Sequence, residues 1–308
     1  MKEIEFPKET LPWIDTQQAP NIINQLLDNA VIDINTAKNL IEYENKGYVI
    51  FENLIDHKLC DQLLLDYERL WLERPACLVR HNNSDVKMIS SLATRSEVGI
   101  NFRINDFHNL SMAAANIAMQ PKIIKFMQLV FNQVPVAMQS LFFEYGSQQS
   151  AHQDFVFVPS GILSHLSAIW VALEDIGPNQ GPLSYYPYSH KIRKFDFGDN
   201  ELTYKATHSK EWDQHIESEI KRLNLKEEHF IAKKGDVLIW HGSLLHGGSA
   251  IKDYSLTRKS FIVHYSDIEA FPSDYRDRSK KPTAIYKNGG CYYQWDHPEH
   301  VEGRFRSY

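Results

Sequence analysis

Only three cysteines, Cys60, Cys77 and Cys291, occur in 308 residues, and they lie far apart. That excludes a disulfide framework, and with no Cys-x-x-Cys pair it also excludes the common zinc modules. Long hydrophobic runs are missing too. No stretch of about 18 apolar residues suggests a membrane-spanning helix, and the opening MKEIEFPKET has no apolar leader core. A cytoplasmic protein with no membrane partner is expected. Positive charge is not in excess either: 33 Lys and Arg stand against 39 Asp and Glu, a formal net charge of -6. Such a balance does not neutralise phosphates, which argues against nucleic acid as a partner. Internal repeats and low-complexity tracts are absent. What is present, 43% hydrophobic and 23% charged residues, is ordinary globular composition, and the expected partner is a small molecule.

The first 135 residues read as helix and loop. Asn35 to Asn45 places Ala37, Leu40 and Ile41 on one face, with Asn35 as a candidate cap. Asp56 to Trp71 repeats Leu59, Leu63, Tyr67 and Leu70 at helical spacing, and a further helix is expected near Lys122 to Phe131. Gly47 to Phe51 is a short strand candidate. After Val134 the pattern changes to short β-branched and aromatic runs separated by turn residues. Strands are expected near 136–145, 153–158, 166–174, 183–186, 228–231, 236–240, 244–248 and 257–265, with a helical insertion at about 205–225. Eight short strands in about 130 residues point to a mainly β fold with helical additions. Its core would be a jelly roll of the cupin-like, double-stranded β-helix kind, with the N-terminal helices packed on it. The reading is one domain over 1–308: a helical part to 135, a core over 136–266, and a C-terminal wrap over 267–308.

Within that core, His152-Gln153-Asp154 runs into Phe155-Val156-Phe157-Val158. On a strand, residues i and i+2 share a face, so His152 and Asp154 would project together. A His-x-Asp is weak by itself, since roughly one is expected by chance among 14 histidines. The His-x-Glu triplets at His215, His297 and His300 serve as controls and read as solvated surface. On the motif alone, a ligand pair and a hydrogen-bonded pair at a strand end stand level. A second segment shifts the balance. Gly235-Asp236-Val237-Leu238-Ile239-Trp240-His241-Gly242-Ser243-Leu244-Leu245-His246-Gly247-Gly248-Ser249 sets His246 between an apolar run and a Gly-Gly turn, with His241 as a supporting or structural residue. Two imidazoles and one carboxylate can cap one face of an octahedral metal and leave three positions open, as in non-haem Fe(II) oxygenases. Arg258 follows within Leu256 to Val263. A buried Arg needs an anion, supplied either by an internal carboxylate or by a dicarboxylate gripped bidentately.

With those residues in view, the chain resembles the phytanoyl-CoA dioxygenase family of Fe(II)/2-oxoglutarate oxygenases. The resemblance covers YENKGYVIFENLIDHKLCDQLLLDYERLW, AHQDF, SAIWVALEDIGPNQGPLSYYPYSHK, GDVLIWHGSLLHGGS and Arg258. It implies that His152, Asp154 and His246 ligate Fe(II), and that Arg258 holds the distal carboxylate of 2-oxoglutarate with help from Ser249. It further implies that Trp170 packs beside the cosubstrate and that Gln139 is a second cosubstrate contact. The implied reaction consumes O₂ and 2-oxoglutarate, releases succinate and CO₂, and hydroxylates an unactivated C–H. Related halogenases carry a small residue where this chain has Asp154; the carboxylate therefore favours hydroxylation, with desaturation and ring formation left open.

The chain departs from the family pattern in three places. Ser249 lies three residues after His246 rather than two, and Arg258 shifts by the same step. Pro187-Tyr188-Ser189-His190 lacks the usual Gly, which removes an easy left-handed position. Glu144-Tyr145-Gly146-Ser147 replaces a Lys-Pro-Pro-Gly segment; if it faces the pocket, Glu144 favours a neutral or cationic substrate. Phe142, Phe157, Tyr185 and Tyr186 are either pocket lining or core, and Arg103 and His190 are either substrate contacts or surface pairs. Two rival readings use the same fold: a non-catalytic binding module, and a cupin-like enzyme using another divalent metal.

Overall fold

Helix starts and stops follow from capping chemistry. The computed structural model describes residues 12–73, 75, 78–81, 85–88, 94–158, 160–162, 164–199, 201–271 and 283–294. Within them α1 spans Ala19–Asp28 and α2 Ile34–Lys46. The cap of α2 is Asp33, not Asn35: its carboxylate accepts the Thr36 N–H at 2.7 Å. Gly47, at φ +83°, ends the helix. Next come α3 (His57–Glu73), α4 (Met112–Ala118) and α5 (Pro121–Phe131). Gln120 caps α5, and Pro121 takes the first turn, where a missing N–H costs nothing.

The strands are β1 Tyr48–Phe51, β2 Leu78–His81, β3 Asp85–Met88, β4 Arg103–Asn105, β5 Pro135–Phe143, β6 Ser167–Ala172 and β7 Leu183–Tyr185. They continue as β8 Glu228–Phe230, β9 Val237–His241, β10 His246–Gly248, β11 Ser260–Asp267, β12 Thr283–Lys287 and β13 Gly290–Gln294. The large sheet runs β1-β9-β6-β11-β5-β4-β2-β3, with the β12–β13 hairpin joined to β5, and a small sheet runs β10-β7-β8. This is a jelly-roll core carrying helices. The N-terminal part is therefore more than helix and loop, because β2, β3 and β4 extend the main sheet. They went unread because each is only three or four residues long, too short for a period to show.

Every residue of β6, β9 and β11 is buried. The outward face, with Val49, Phe142, Ile169, Ile239 and Val263, packs with Leu40, Tyr43, Leu63, Tyr67 and Phe126 of the helices. The inward face repeats as cross-strand rows. One row is Gln139, His264, Ala168, Trp240 and Tyr48; the next is Leu141, Ile262, Trp170, Leu238 and Ile50. Two residues along each strand separate the rows, roughly 6.6 Å.

The insertion helix α6 (Ser209–Leu223) is fastened to the barrel by a buried carboxylate. Glu219 accepts hydrogen bonds from Arg193 Nε at 2.8 Å and Arg222 Nη2 at 2.6 Å. Burial pushes the Glu219 carboxyl up, but the two arginines outweigh it and hold it at about 2, below its ordinary 4.5. A depressed folded-state value gives stability that is complete above about pH 4.5 and is lost as pH falls toward 2. Glu219→Gln is therefore expected to flatten the melting-temperature curve across that window. Parallel acid limbs in mutant and wild type would refute the assignment.

Candidate metal centre

The expected strand over 153–158 does not form. Asp154–Val156 is a 3₁₀ turn, so the i, i+2 argument does not explain the pairing of His152 with Asp154. An isolated antiparallel bridge does: His152 N–H donates to His246 O at 2.8 Å, and His246 N–H donates to His152 O at 3.0 Å. This bridge sets the two imidazoles side by side, tilted by 49° with ring centroids 4.6 Å apart. Two tethers then turn Asp154 inward. Phe155 N–H donates to Gly242 O at 3.1 Å, and the buried Gln153 side chain donates to Ser243 O at 2.5 Å. One ligand atom from each of His152, Asp154 and His246 lies within 4.8 Å of the others, all three residues being buried.

The polar partners leave the right atoms available for a metal ion. His152 Nδ1 meets Ser150 O at 2.8 Å and His246 Nδ1 meets Leu244 O at 2.9 Å. A carbonyl only accepts, so each Nδ1 carries the proton and each Nε2 presents a lone pair. Burial, with His246 beside it, drives the His152 pKa down to about 4, so that imidazole is neutral. Asp154 Oδ1 lies 3.7 Å from His152 Nε2 and 3.5 Å from His246 Nε2. Its Oδ2 accepts the Trp240 indole N–H at 2.8 Å. Burial pushes the Asp154 carboxyl up, but the imidazoles of His246, His264 and His152 outweigh it and hold it well below the usual range. Two imidazoles and one ionised carboxylate suit a divalent first-row metal.

Arg258 lies two residues before β11 rather than inside a strand, and it is 3% exposed. Its N–H donates to Glu144 O at 2.7 Å, and Nη1 reaches Gly181 O at 3.3 Å. The guanidinium carbon stands 5.7 Å from the Trp170 ring centre and 5.9 Å from that of Phe143. Burial alone pulls its pKa down to about 10, and no carboxylate contributes. Arg258 Nε and the Trp170 indole N–H are both buried without a partner among the described residues. An internal salt bridge is thereby ruled out for Arg258 among those residues. Two unsatisfied donors lie close together, Trp170 being one row from Trp240, an arrangement that suits an anion with acceptor oxygens.

Ser249 shares this corner, its N–H donating to Pro182 O at 3.0 Å, but its hydroxyl pairs with His229 Nδ1 at 2.9 Å. Gln139 sits half-buried on the inward face, directly across from His264. Glu144 does not face the pocket. Phe143 turns in toward Arg258, so the next residue turns out, where Arg95 Nη1 meets the carboxylate at 2.9 Å and the Tyr67 hydroxyl donates to it at 2.5 Å. With its charge matched internally, Glu144 no longer bears on substrate charge. Tyr188 adopts φ +71° without glycine, at the cost of a left-handed side chain, about 1–2 kcal/mol. His190 donates to Glu44 O at 2.9 Å, and His241 binds Asp15 at 3.1 Å and accepts the Ser243 N–H; both are structural. Phe142 stacks on Tyr67 in the outer core, whereas Phe157 lies 5.8 Å from the His152 ring. Tyr185 packs on Tyr48, and Arg103 donates to Asn101.

Sequence reasoning missed His264, Gln153 and the role of Trp240. A buried indole N–H normally has a partner, which was the one available signal for Trp240.

The Gly-Gly pair after His246 lies in β10 rather than in the expected turn, and it has a steric reason. A Cβ on Gly247 would stand 2.7 Å from Gln149 O and 3.1 Å from Ala151 N, in the backbone that leads to His152. Gly247→Ala is expected to destabilise by about 1–3 kcal/mol in urea denaturation; an unchanged midpoint would show that this backbone yields freely.

The phytanoyl-CoA dioxygenase family model matches residues 43–258, more than half of the chain. The chain belongs to that family. Among its relatives, the phytanoyl-CoA dioxygenase, peroxisomal, of Homo sapiens is 22% identical over 276 residues, covering 85% of this chain and 76% of the relative. Solved structures with this family fold include the non-heme alpha ketoglutarate dependent epimerase SnoN from nogalamycin biosynthesis. It has a TM-score of 0.60 at 16% identity, over 85% of this chain and 98% of that one. EctD from S. alaskensis with 2-oxoglutarate and 5-hydroxyectoine gives 0.57 at 17%, over 88% and 84%. At such identities the structural likeness is one of fold. Among the described residues, no helix of this family member is long and apolar enough to cross a membrane.

Proposed function

We propose that this chain is an Fe(II)- and 2-oxoglutarate-dependent dioxygenase that hydroxylates an unactivated C–H of a small organic molecule. The overall reaction joins 2-oxoglutarate, O₂ and R–H to give succinate, CO₂ and R–OH. One observation carries the reading: among the described residues the buried guanidinium of Arg258 has no carboxylate of its own, and it lies over Trp170, one cross-strand row from Trp240, whose indole N–H binds Asp154 of the buried His-Asp-His cluster. His152, Asp154 and His246 are the proposed iron ligands. Iron supplies the activation of O₂ that side chains cannot.

The remaining work falls to the chain itself. The Ser150 and Leu244 carbonyls fix the imidazole tautomers. Arg258 takes the distal carboxylate of 2-oxoglutarate, with the Trp170 indole N–H as a second donor, Ser249 assisting and Gln139 as a further cosubstrate contact. The apolar rows of the inward face keep bulk water from the reacting atoms. Asp154, where a smaller residue would leave a coordination position for another anion, supports hydroxylation. The segment before β5 and the hairpin β12–β13 are read as parts of one catalytic domain, since both add strands to the same sheet.

The test is binding first and turnover second. Metal-loaded protein should gain about 2.7 kcal/mol of stability at 2-oxoglutarate a hundredfold above Kd, and should release succinate under O₂. Folded, iron-loaded protein whose melting temperature ignores 2-oxoglutarate would sink the proposal.

A further inference from the structure

We infer that His264 is a positioning residue which, together with Trp240, holds Asp154 so that only one carboxylate oxygen faces the metal position. The inference rests on the metal site proposed above and adds to it a residue that belongs to neither the ligand set nor the cosubstrate anchor.

The row geometry carries the argument. His264, Ala168 and Trp240 are consecutive across β11, β6 and β9. The two large rings flank the smallest side chain in the row, standing 6.4 Å apart at 82°. Ala168 is fully buried, and its single methyl leaves a notch between the rings. Asp154 enters that notch from the 3₁₀ turn above. Its Oδ2 takes the Trp240 N–H at 2.8 Å and lies 3.4 Å from His264 Nε2. Its Oδ1 is left toward His152 and His246 at 3.7 and 3.5 Å.

A carboxylate with one free oxygen occupies one coordination position, while a carboxylate with two can occupy two. With Oδ2 engaged by the Trp240 N–H and His264 Nε2 close beside it, Oδ1 alone is left toward the metal position. Three positions then remain open rather than two, which a chelating cosubstrate and O₂ together need. His264 Nδ1 is buried with no partner among the described residues. Among the described residues, the polar contact of the ring is the Asp154 carboxylate, through Nε2.

The experiment compares His264→Leu, His264→Asn and His264→Gln in the full chain. Glutamine places an amide N–H near the position of Nε2; asparagine stops a bond short, and leucine offers no donor. Fe(II) affinity is read by chelator competition under anaerobic conditions. The visible ligand-field spectrum of the Co(II)-substituted protein reports the coordination number without any turnover. Leucine and asparagine are expected to lose about 10–100-fold in Fe(II) affinity and to change the Co(II) spectrum, and glutamine to stay within about threefold with a wild-type spectrum. If leucine does not fold, asparagine against glutamine decides. Wild-type affinity and spectrum in either loss variant overturn the inference, as does a glutamine variant as weak as leucine. Failure of wild-type protein to bind Fe(II) or Co(II) would instead overturn the metal site itself, so the two failures are told apart.

Discussion

Arg258→Met is expected to leave the cosubstrate-free protein as stable as wild type or more so, while 2-oxoglutarate binding falls by about 2–5 kcal/mol, roughly 30-fold to several thousandfold in Kd. The two halves have one cause. Arg258 is buried, its nearest acceptor is a backbone carbonyl at 3.3 Å, and its positive charge rests on the faces of Trp170 and Phe143. A buried charge without a counter-ion costs several kcal/mol, and aromatic faces recover only about 2 of it. Methionine keeps the length and apolar contacts and removes the charge. An ordinary buried arginine in a salt bridge would behave oppositely, since its loss strands a carboxylate. Titration calorimetry with 2-oxoglutarate and melting of the metal-free protein give the two readings. A lower melting temperature with unchanged cosubstrate affinity would return Arg258 to the core.

The second large effect is on Asp154. Asp154→Ala is expected to lower Fe(II) affinity by more than the roughly 10–100-fold that losing an outer partner costs, and to reduce succinate release to background. It should also cost stability without metal, about 1–3 kcal/mol, because the Trp240 indole N–H loses its acceptor at 2.8 Å inside the core. The imidazoles stay in place, since the His152–His246 bridge is made by backbone atoms. Metal titration under anaerobic conditions and thermal melting check both parts. Wild-type metal affinity in the alanine variant would remove Asp154 from the site.

Much of this site was legible before any coordinates, though not always for the reason first given. Order and flanking residues pick out His152, Asp154 and His246, yet the strand expected to align the first two is a turn. Local periodicity cannot show a bridge between segments so distant in sequence, and that bridge does the aligning. The burial of Arg258 was legible from the apolar run that follows it, and its anion is part of the proposal. The side on which Glu144 lies was not legible. Leu141, Phe142 and Phe143 are all apolar because both faces of β5 are covered, so alternation carries no parity there. His264 was hidden for the same reason: it sits in Phe261-Ile262-Val263-His264-Tyr265, a run with no polar side to give it away. The short strands β2, β3 and β4 left no period to read.

The bridge between His152 and His246 also bears on when a metal ion can be captured. Neither half of the chelate exists locally: a two-residue spacing at one end and a lone imidazole at the other become neighbours only when the intervening strands have found their places. Such long-range closure comes late on a folding route and sets its pace. Small zinc modules need their ion to fold at all. Here the polypeptide is expected to complete its own shape first, so that loading with iron becomes a certificate of correct assembly.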